Sequence, residues 1–356
     1  MECLPGFRYW AVFLPTTGAW ARPSAIRTVA QEAERLGFGG LMMRDHINFP
    51  HRLHQGHSPM PVASIIVEEE GRQRERDILD EEAKLPNLYE SMTTMSFLAG
   101  VTEKVEIGVV IILLALRNPI LLAKQIACLD QLSGGRVVIG LGTGNVDHVN
   151  EWVLMGAPYE HRGPVTDEYI RVMKEIWTRP NASYNGRYIK FSDSAIYPKP
   201  LRKPHPPLWI GGLGDRVLKR VAELGDGWTP APPLVPEELA ARVDSLKEKA
   251  KLHGRGNVDF QIAPEVQIIL DRQERVAKWK MAQTVEGNRT WAERYHHSLE
   301  EYSQRFLCGT PSQILKGCEE YVEAGATHPW IYFNYLTVED LLDQMTLFAK
   351  EVLPSF

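Results

Sequence analysis

Short apolar runs alternate along the chain with amphipathic helical stretches, the pattern of parallel strands joined by crossover helices. The runs fall at 8–13, 40–44, 105–113, 137–141, 208–210, 227–229, 258–270 and 330–333. Those at 105–113 and 137–141 are nearly all apolar instead of alternating, as expected of strands covered on both faces. Between them the helices carry readable ends. Ser24 is the predicted cap of a helix whose Ile26, Val29, Ala30, Ala33 and Leu36 form one stripe, stopped by Gly37. Asn87 with Glu90 predicts a capping box, and Gly100 the end of that helix. Asn118 and Pro119 open the next, which ends at 133–135, and Thr310 and Pro311 open the last crossover, with Gly325 beyond it. Eight strand and helix units predict a single (β/α)8 barrel, a TIM barrel, with its active site in the loops at the carboxyl ends of the strands.

Two stretches exceed a minimal barrel. The segment 51–86, with the charge run EEEGRQRERD, follows the second strand, and 274–304, polar but holding Trp279, Trp291 and Tyr295, follows the seventh. Both are insertions on the active-site side, serving as lids or as surface elaborations and subunit contacts.

Composition narrows the class. The 356 residues are 44% hydrophobic and 24% charged, ordinary for a globular protein. Lys and Arg number 40 against 45 Asp and Glu, and a net charge of -5 offers no basic field for nucleic acid. The longest apolar run, at 105–116, contains Glu106 and falls short of the roughly 20 residues that span a bilayer, so no membrane segment is expected. Four scattered cysteines without a CxxC pair, and no signal-peptide pattern at the amino terminus, predict a cytoplasmic protein.

Candidate chemistry sits where the strands end. His46, after the second strand, can move a proton near neutral pH or serve as a structural histidine tied to a loop. The alternating glycines of 140–144 leave room for a flat ring or a polyol chain beside Thr143 and Asn145, or merely form a tight turn. In LWIGGLGDRVLKRVAELGDGW, strand, glycines and helix come in order, so the amides of Gly211, Gly212, Leu213 and Gly214 can converge on a phosphate. His51, His54 and His57 are spaced by three in a loop without cysteine, which argues for a solvated rim and against a metal site. Tyr9, Trp10, Trp20 and Trp152 suit either an apolar pocket or the core.

Taken in order, RNPILLAKQIACLDQLSGGRVVIGLGTG, 151–156, EHRGPVTDEYIRVMKEIW, NGRYIKF, YPKPLRKPHPPLWIGG, LGDGW and GTPSQILKGCEEYVEAG resemble the luciferase-like flavin and deazaflavin oxidoreductases. The resemblance implies a TIM barrel that holds FMN or coenzyme F420 at its carboxyl face. By it, His46 is the pocket histidine that takes part in chemistry. Val110 and Ile111 match the end of the third strand, where a non-prolyl cis peptide commonly lies beneath the flavin ring. Thr143, Gly144 and Asn145 match ring and ribityl contacts, Arg162 a phosphate contact, and Gly211, Gly212, Leu213 and Gly214 the remaining phosphate contacts. Leu213 departs from the small polar residue often found there, which leaves phosphate to Arg162 and backbone donors. Asp45 before His46 looks like the deazaflavin branch, but Pro50 replaces a tryptophan of some deazaflavin dehydrogenases. The implied function is a monooxygenase using reduced FMN, supplied by a separate flavin reductase, and O2 on a small organic substrate. The alternatives are an F420-dependent dehydrogenase or reductase and, ranked low, a non-catalytic flavin-binding protein. A homodimer is implied as well.

Overall fold

The structure is a computed structural model that describes residues 9–18, 20–47, 87–144, 149–287, 289 and 298–356. Asn145 and the whole of the 51–86 segment, with its three histidines, lie outside the described residues, as do Trp291 and Tyr295.

The strands, in chain order, are β1 (Ala11–Phe13), β2 (Thr17–Gly18), β3 (Gly40–Met43), β4 (Asn87–Leu88), β5 (Glu106–Leu113), β6 (Val137–Gly142), β7 (Ala182–Asn185), β8 (Lys190–Ser194), β9 (Leu208–Gly211), β10 (Gly227–Thr229), β11 (Gln261–Ile262), β12 (Glu265–Leu270), β13 (Phe306–Gly309) and β14 (Trp330–Phe333). Ten of them form one curled sheet in the order β11-β10-β9-β6-β5-β3-β1-β14-β12-β13, and every pair in it is parallel. β2 with β4 and β7 with β8 make two small antiparallel pairs.

The expected strand at 258–270 divides into β11 and β12 at Pro264, which has no amide hydrogen to continue a ladder. The chain changes partner there. The Ala263 amide donates to the Trp228 carbonyl at 2.8 Å on the β10 side, and the Pro264 carbonyl accepts from the Trp330 amide at 3.0 Å on the β14 side. The strand that begins the sheet order, β11, and the last but one, β12, are therefore parts of one short stretch of chain. The edge strand β13 is not expected from the sequence; it lies beyond helices Glu274–Gly287 and Leu299–Ser303, so the 274–304 stretch is largely helical where described.

Helix Pro23–Leu36 starts two residues before the expected position, with Arg22 in place of Ser24 as its cap, because Pro23 is already set for the first helical position. Gly37, at φ 87°, ends it as expected. The capping box at Asn87 is not formed. Asn87 belongs to β4, and Glu90 itself caps helix Ser91–Val101, accepting from the amides of Met92 (3.1 Å) and Thr93 (2.7 Å). Gly100 lies inside that helix, which ends instead at Thr102. Asn118 caps helix Pro119–Leu132 as expected, accepting from Ile120 and Leu121.

Strand alternation sorts the core into two sides. Leu41 and Met43 of β3 pack outward with Val29, Ala33 and Leu98 of the flanking helices. Met42 turns inward with Ala11, Phe13, Val138, Trp209, Ala263, Trp330 and Tyr332. Trp10 belongs to the outer core and is fully buried.

Candidate active site

The inward and outward alternation of β3 continues past its last hydrogen-bonded residue. Arg44 turns inward, its guanidinium over the rings of Phe13 (5.2 Å) and Tyr332 (5.5 Å). Asp45 turns outward and is 2% exposed. Its Oδ1 accepts from the Ser91 hydroxyl and from Arg117, each at 2.7 Å. Burial raises the pKa of the Asp45 carboxyl, while the Arg117 cation and the Ser91 hydroxyl pull it back down. The adjacent Asp45 and His46 thus serve opposite sides of the strand.

His46 meets a carboxylate that sequence reasoning passes over. Its Nδ1 lies 2.8 Å from Oε1 of Glu151, whose side chain is fully buried. Oε2 of Glu151 also accepts from the Ile47 amide at 3.4 Å. A carboxylate can only accept, so Nδ1 carries the proton in this contact. Glu151 comes from helix Val149–Leu154, beyond β6 in the chain, so the bond joins the ends of two strands separated in the sheet by β5. Nothing in the local sequence marks this glutamate as buried.

The glycines of β6 have a nonlocal cause. The Val110–Ile111 peptide of β5 is cis, as the resemblance implied, and the β5–β6 register shifts between Val109 and Ile112. Val110 packs on the inner core. A methyl at Gly140, Gly142 or Gly211 would run into the Ile111 side chain, so the room expected for a ring or polyol at Gly140 and Gly142 is filled by Ile111. A methyl at Gly140 would also collide with the Val109 carbonyl oxygen, which cannot swing aside as a side chain can. Gly140→Ala is therefore expected to destabilise the protein by about 1–3 kcal/mol. Gly100→Ala, at an exposed helical position with open space around it, is expected to stabilise by about 0.5–1 kcal/mol. Urea unfolding of the two variants checks the opposite signs.

Thr143 and Gly144, both half-buried, continue from β6, and Gly144 has φ 69°. A methyl on Gly144 would stand 3.1 Å from the Trp152 ring, which meets Tyr159 edge-on at 5.6 Å between centroids. The Arg162 guanidinium lies 4.1 Å from the Tyr159 ring centroid and donates to the Tyr159 carbonyl at 3.1 Å. Helix Val149–Leu154 thereby links three predicted residues: Glu151 holds His46, and Trp152 connects Gly144 through Tyr159 to Arg162. Among the described residues, the buried Trp152 Nε1 and the hydroxyls of Tyr159 and Tyr188 have no hydrogen-bond partner.

The glycine loop after β9 departs in part from expectation. Gly212, at φ 118°, donates its amide to the Thr229 carbonyl at 3.2 Å, so that amide is committed to the sheet. The amides of Leu213 and Gly214 make no hydrogen bond among the described residues and stand before helix Asp215–Leu224. Leu213 packs its side chain on the outer core. Arg220 of that helix pairs with Asp167 of helix Arg162–Thr178, which joins the elements carrying the loop and Arg162. In the sheet, β6 and β5 stand between the strand that carries this loop and the strand that carries His46.

His46, Thr143, Gly144 and the loop at 211–214 thus stand at the carboxyl ends of three parallel strands of one sheet, β3, β6 and β9, where enzymes of the α/β class build their sites, while Val110 and Ile111 lie within β5 between them and Arg162 opens a helix joined to Gly144 through Tyr159 and Trp152. A family model described as luciferase-like monooxygenase matches residues 78–328, and the chain belongs to that family; it is an oxidoreductase. It is similar to an FMNH2-dependent dimethylsulfone monooxygenase of Pseudomonas putida, 30% identical over 65% of this chain and 69% of that protein. It is also similar to an F420-dependent glucose-6-phosphate dehydrogenase of Kineococcus radiotolerans, 23% identical over 93% of each chain. In fold it is similar to a monooxygenase, RslO1, of Streptomyces bottropensis, with a TM-score of 0.74 at 18% identity, covering 97% of this chain and 99% of that one.

Proposed function

We propose that the protein is a flavin-dependent monooxygenase that acts on a small organic substrate with reduced FMN and O2, on a single (β/α)8 barrel with insertions at 51–86 and 274–304. The barrel reading is supported by the meeting of β10 and β14 on the one stretch that holds β11 and β12. The functional reading is carried by the His46–Glu151 pair, a proton-handling imidazole fixed by a buried carboxylate at the active edge of the sheet.

The chain's groups suit a flavin. Uncommitted amides at Leu213 and Gly214 precede a helix whose positive end favours a phosphate, and Arg162 offers a planar fork for the same charge. The unpartnered Trp152 indole N–H and Tyr159 hydroxyl, near Gly144 and Arg162, suit a polyol chain. Val110, at the cis peptide and packed on the inner core, offers an apolar seat for a flat ring. Bound reduced flavin would supply the electrons that activate O2, and bound deazaflavin a hydride. Glu151 keeps Nδ1 of His46 protonated and its ring oriented, so that Nε2 exchanges the proton that accompanies oxidation of the substrate. The apolar walls keep water from the reacting atoms.

The second reading, an F420-dependent dehydrogenase, is favoured by the similarity to the Kineococcus enzyme across 93% of the chain. Fluorescence titration with FMN, reduced FMN and F420 separates the two: the expected result is tightest binding of reduced FMN, and tight F420 binding with weak FMN binding overturns it. Arg162→Ala is expected to weaken the binding of reduced FMN by about tenfold, the worth of a charge-assisted phosphate contact. The monooxygenase reading also carries a separate flavin reductase as electron source, a homodimer and a cytoplasmic location. The free thiols of Cys128, Cys308 and Cys318 are consistent with a reducing compartment, and among the described residues no helix is long and apolar enough to cross a membrane.

A further inference from the structure

Arg44 has no part in the proton-handling pair, yet it occupies the inner face two positions before His46, about 7 Å away along an extended chain. Its guanidinium is half-buried over the rings of Phe13 and Tyr332. Among the described residues none of its five N–H donors makes a hydrogen bond or ion pair, although a partly desolvated guanidinium gains from an acceptor. The carboxylate that faces it is Glu265 of β12, buried and engaged by the Gln267 side chain, whose oxygen in turn accepts from Asn334 at 2.8 Å. Arg44 and Glu265 form no ion pair, and burial raises the pKa of the Glu265 carboxyl, which weakens it as a competing anion. A cation with aromatic walls, uncommitted donors and a place beside the proton-handling imidazole is equipped to hold the charged end of a small acid.

We propose that Arg44 is the specificity-determining anchor of the substrate pocket, and that the substrate is an organic oxyanion, a carboxylate or sulfonate carried on an apolar body. This rests on the reading of the His46 edge as the site of oxidation. The fork of the guanidinium takes two oxygens of the anion, Phe13 and Tyr332 cover the adjoining apolar part, and the oxidised carbon lies toward His46.

The test is calorimetric titration of the purified protein with benzoate, benzenesulfonate and the neutral benzamide, with and without whichever of reduced FMN and F420 binds more tightly. The two anions are expected to bind about 10- to 100-fold more tightly than benzamide. Arg44→Met is expected to abolish that preference and Arg44→Lys to keep part of it, with cofactor affinity unchanged in both and thermal unfolding checking the fold. Equal binding of benzamide and the anions by the wild type, an anion preference that survives in Arg44→Met, or loss of cofactor binding in a folded Arg44→Met would overturn the proposal. Should Arg44→Met not fold, the wild-type comparison and Arg44→Lys still decide. Failure of every flavin and deazaflavin to bind would sink the monooxygenase reading instead, while the probe titrations continue to judge Arg44.

Discussion

His46→Ala is expected to lower kcat by about 10²- to 10⁴-fold, the range that a positioned acid or base contributes, with little change in cofactor affinity. The reason lies in the geometry: a half-buried imidazole is held through Nδ1 at 2.8 Å by a fully buried carboxylate, which fixes the orientation of its ring. Glu151→Gln keeps the size of the side chain but can turn an N–H toward Nδ1, so the ring loses its fixed tautomer. It is expected to reduce kcat by about 10- to 100-fold, as loss of an orienting partner does, and to leave KM nearly unchanged. Steady-state kinetics with reduced cofactor and a preferred substrate measure both. A folded His46→Ala protein with near-normal kcat would make this histidine structural.

The path from sequence to this site is legible in some places and closed in others. Strands such as β5 and β6 are plain because they are covered on both faces, and a strand with no solvent side has no polar positions to obscure it. Gly37, Asn118 and Thr310 announce helix ends because caps act within a few residues of chain. Pro23 outweighs Ser24, whose side chain could have capped, because a fixed φ suits the first helical position whichever residue comes next. β13 stays hidden: four residues with a half-buried middle carry too little pattern to distinguish them from loop.

The site is readable residue by residue but not as a set of partners. His46 stands out by its type and its place at a strand end, whereas Glu151 has nothing local to separate a buried carboxylate from the many on the surface. The same limit applies to the glycines of β6. Their spacing invites a ligand, but the group that needs the space at Gly140 and Gly142 is Ile111, about thirty residues earlier, and only the pairing of β5 with β6 and of β6 with β9 brings it there.

The largest stability effect is expected at the outward face of the same strand end. Arg117→Ala leaves the Asp45 carboxyl buried with only the Ser91 hydroxyl to serve it, and the expected loss near neutral pH is about 3–5 kcal/mol, the cost of stranding one member of a buried pair. The pH dependence comes from the direction of the Asp45 shift. Burial already raises its folded pKa above the unfolded value, and Arg117 opposes that rise. A carboxyl with a raised folded pKa binds more protons folded than unfolded, so stability falls as pH climbs from the unfolded value of about 3.9 to the folded one. Removing Arg117 extends that window upward. The deficit of the variant against the wild type should therefore be greatest at neutral pH and above, and shrink in acid, where Asp45 is protonated in both states. Asp45→Asn added to Arg117→Ala should recover part of the loss, since an amide carries no charge to desolvate. Urea unfolding between about pH 4 and pH 8 reads the dependence, and a deficit that stays constant across that range would mean that Arg117 stabilises the fold by packing and not through Asp45.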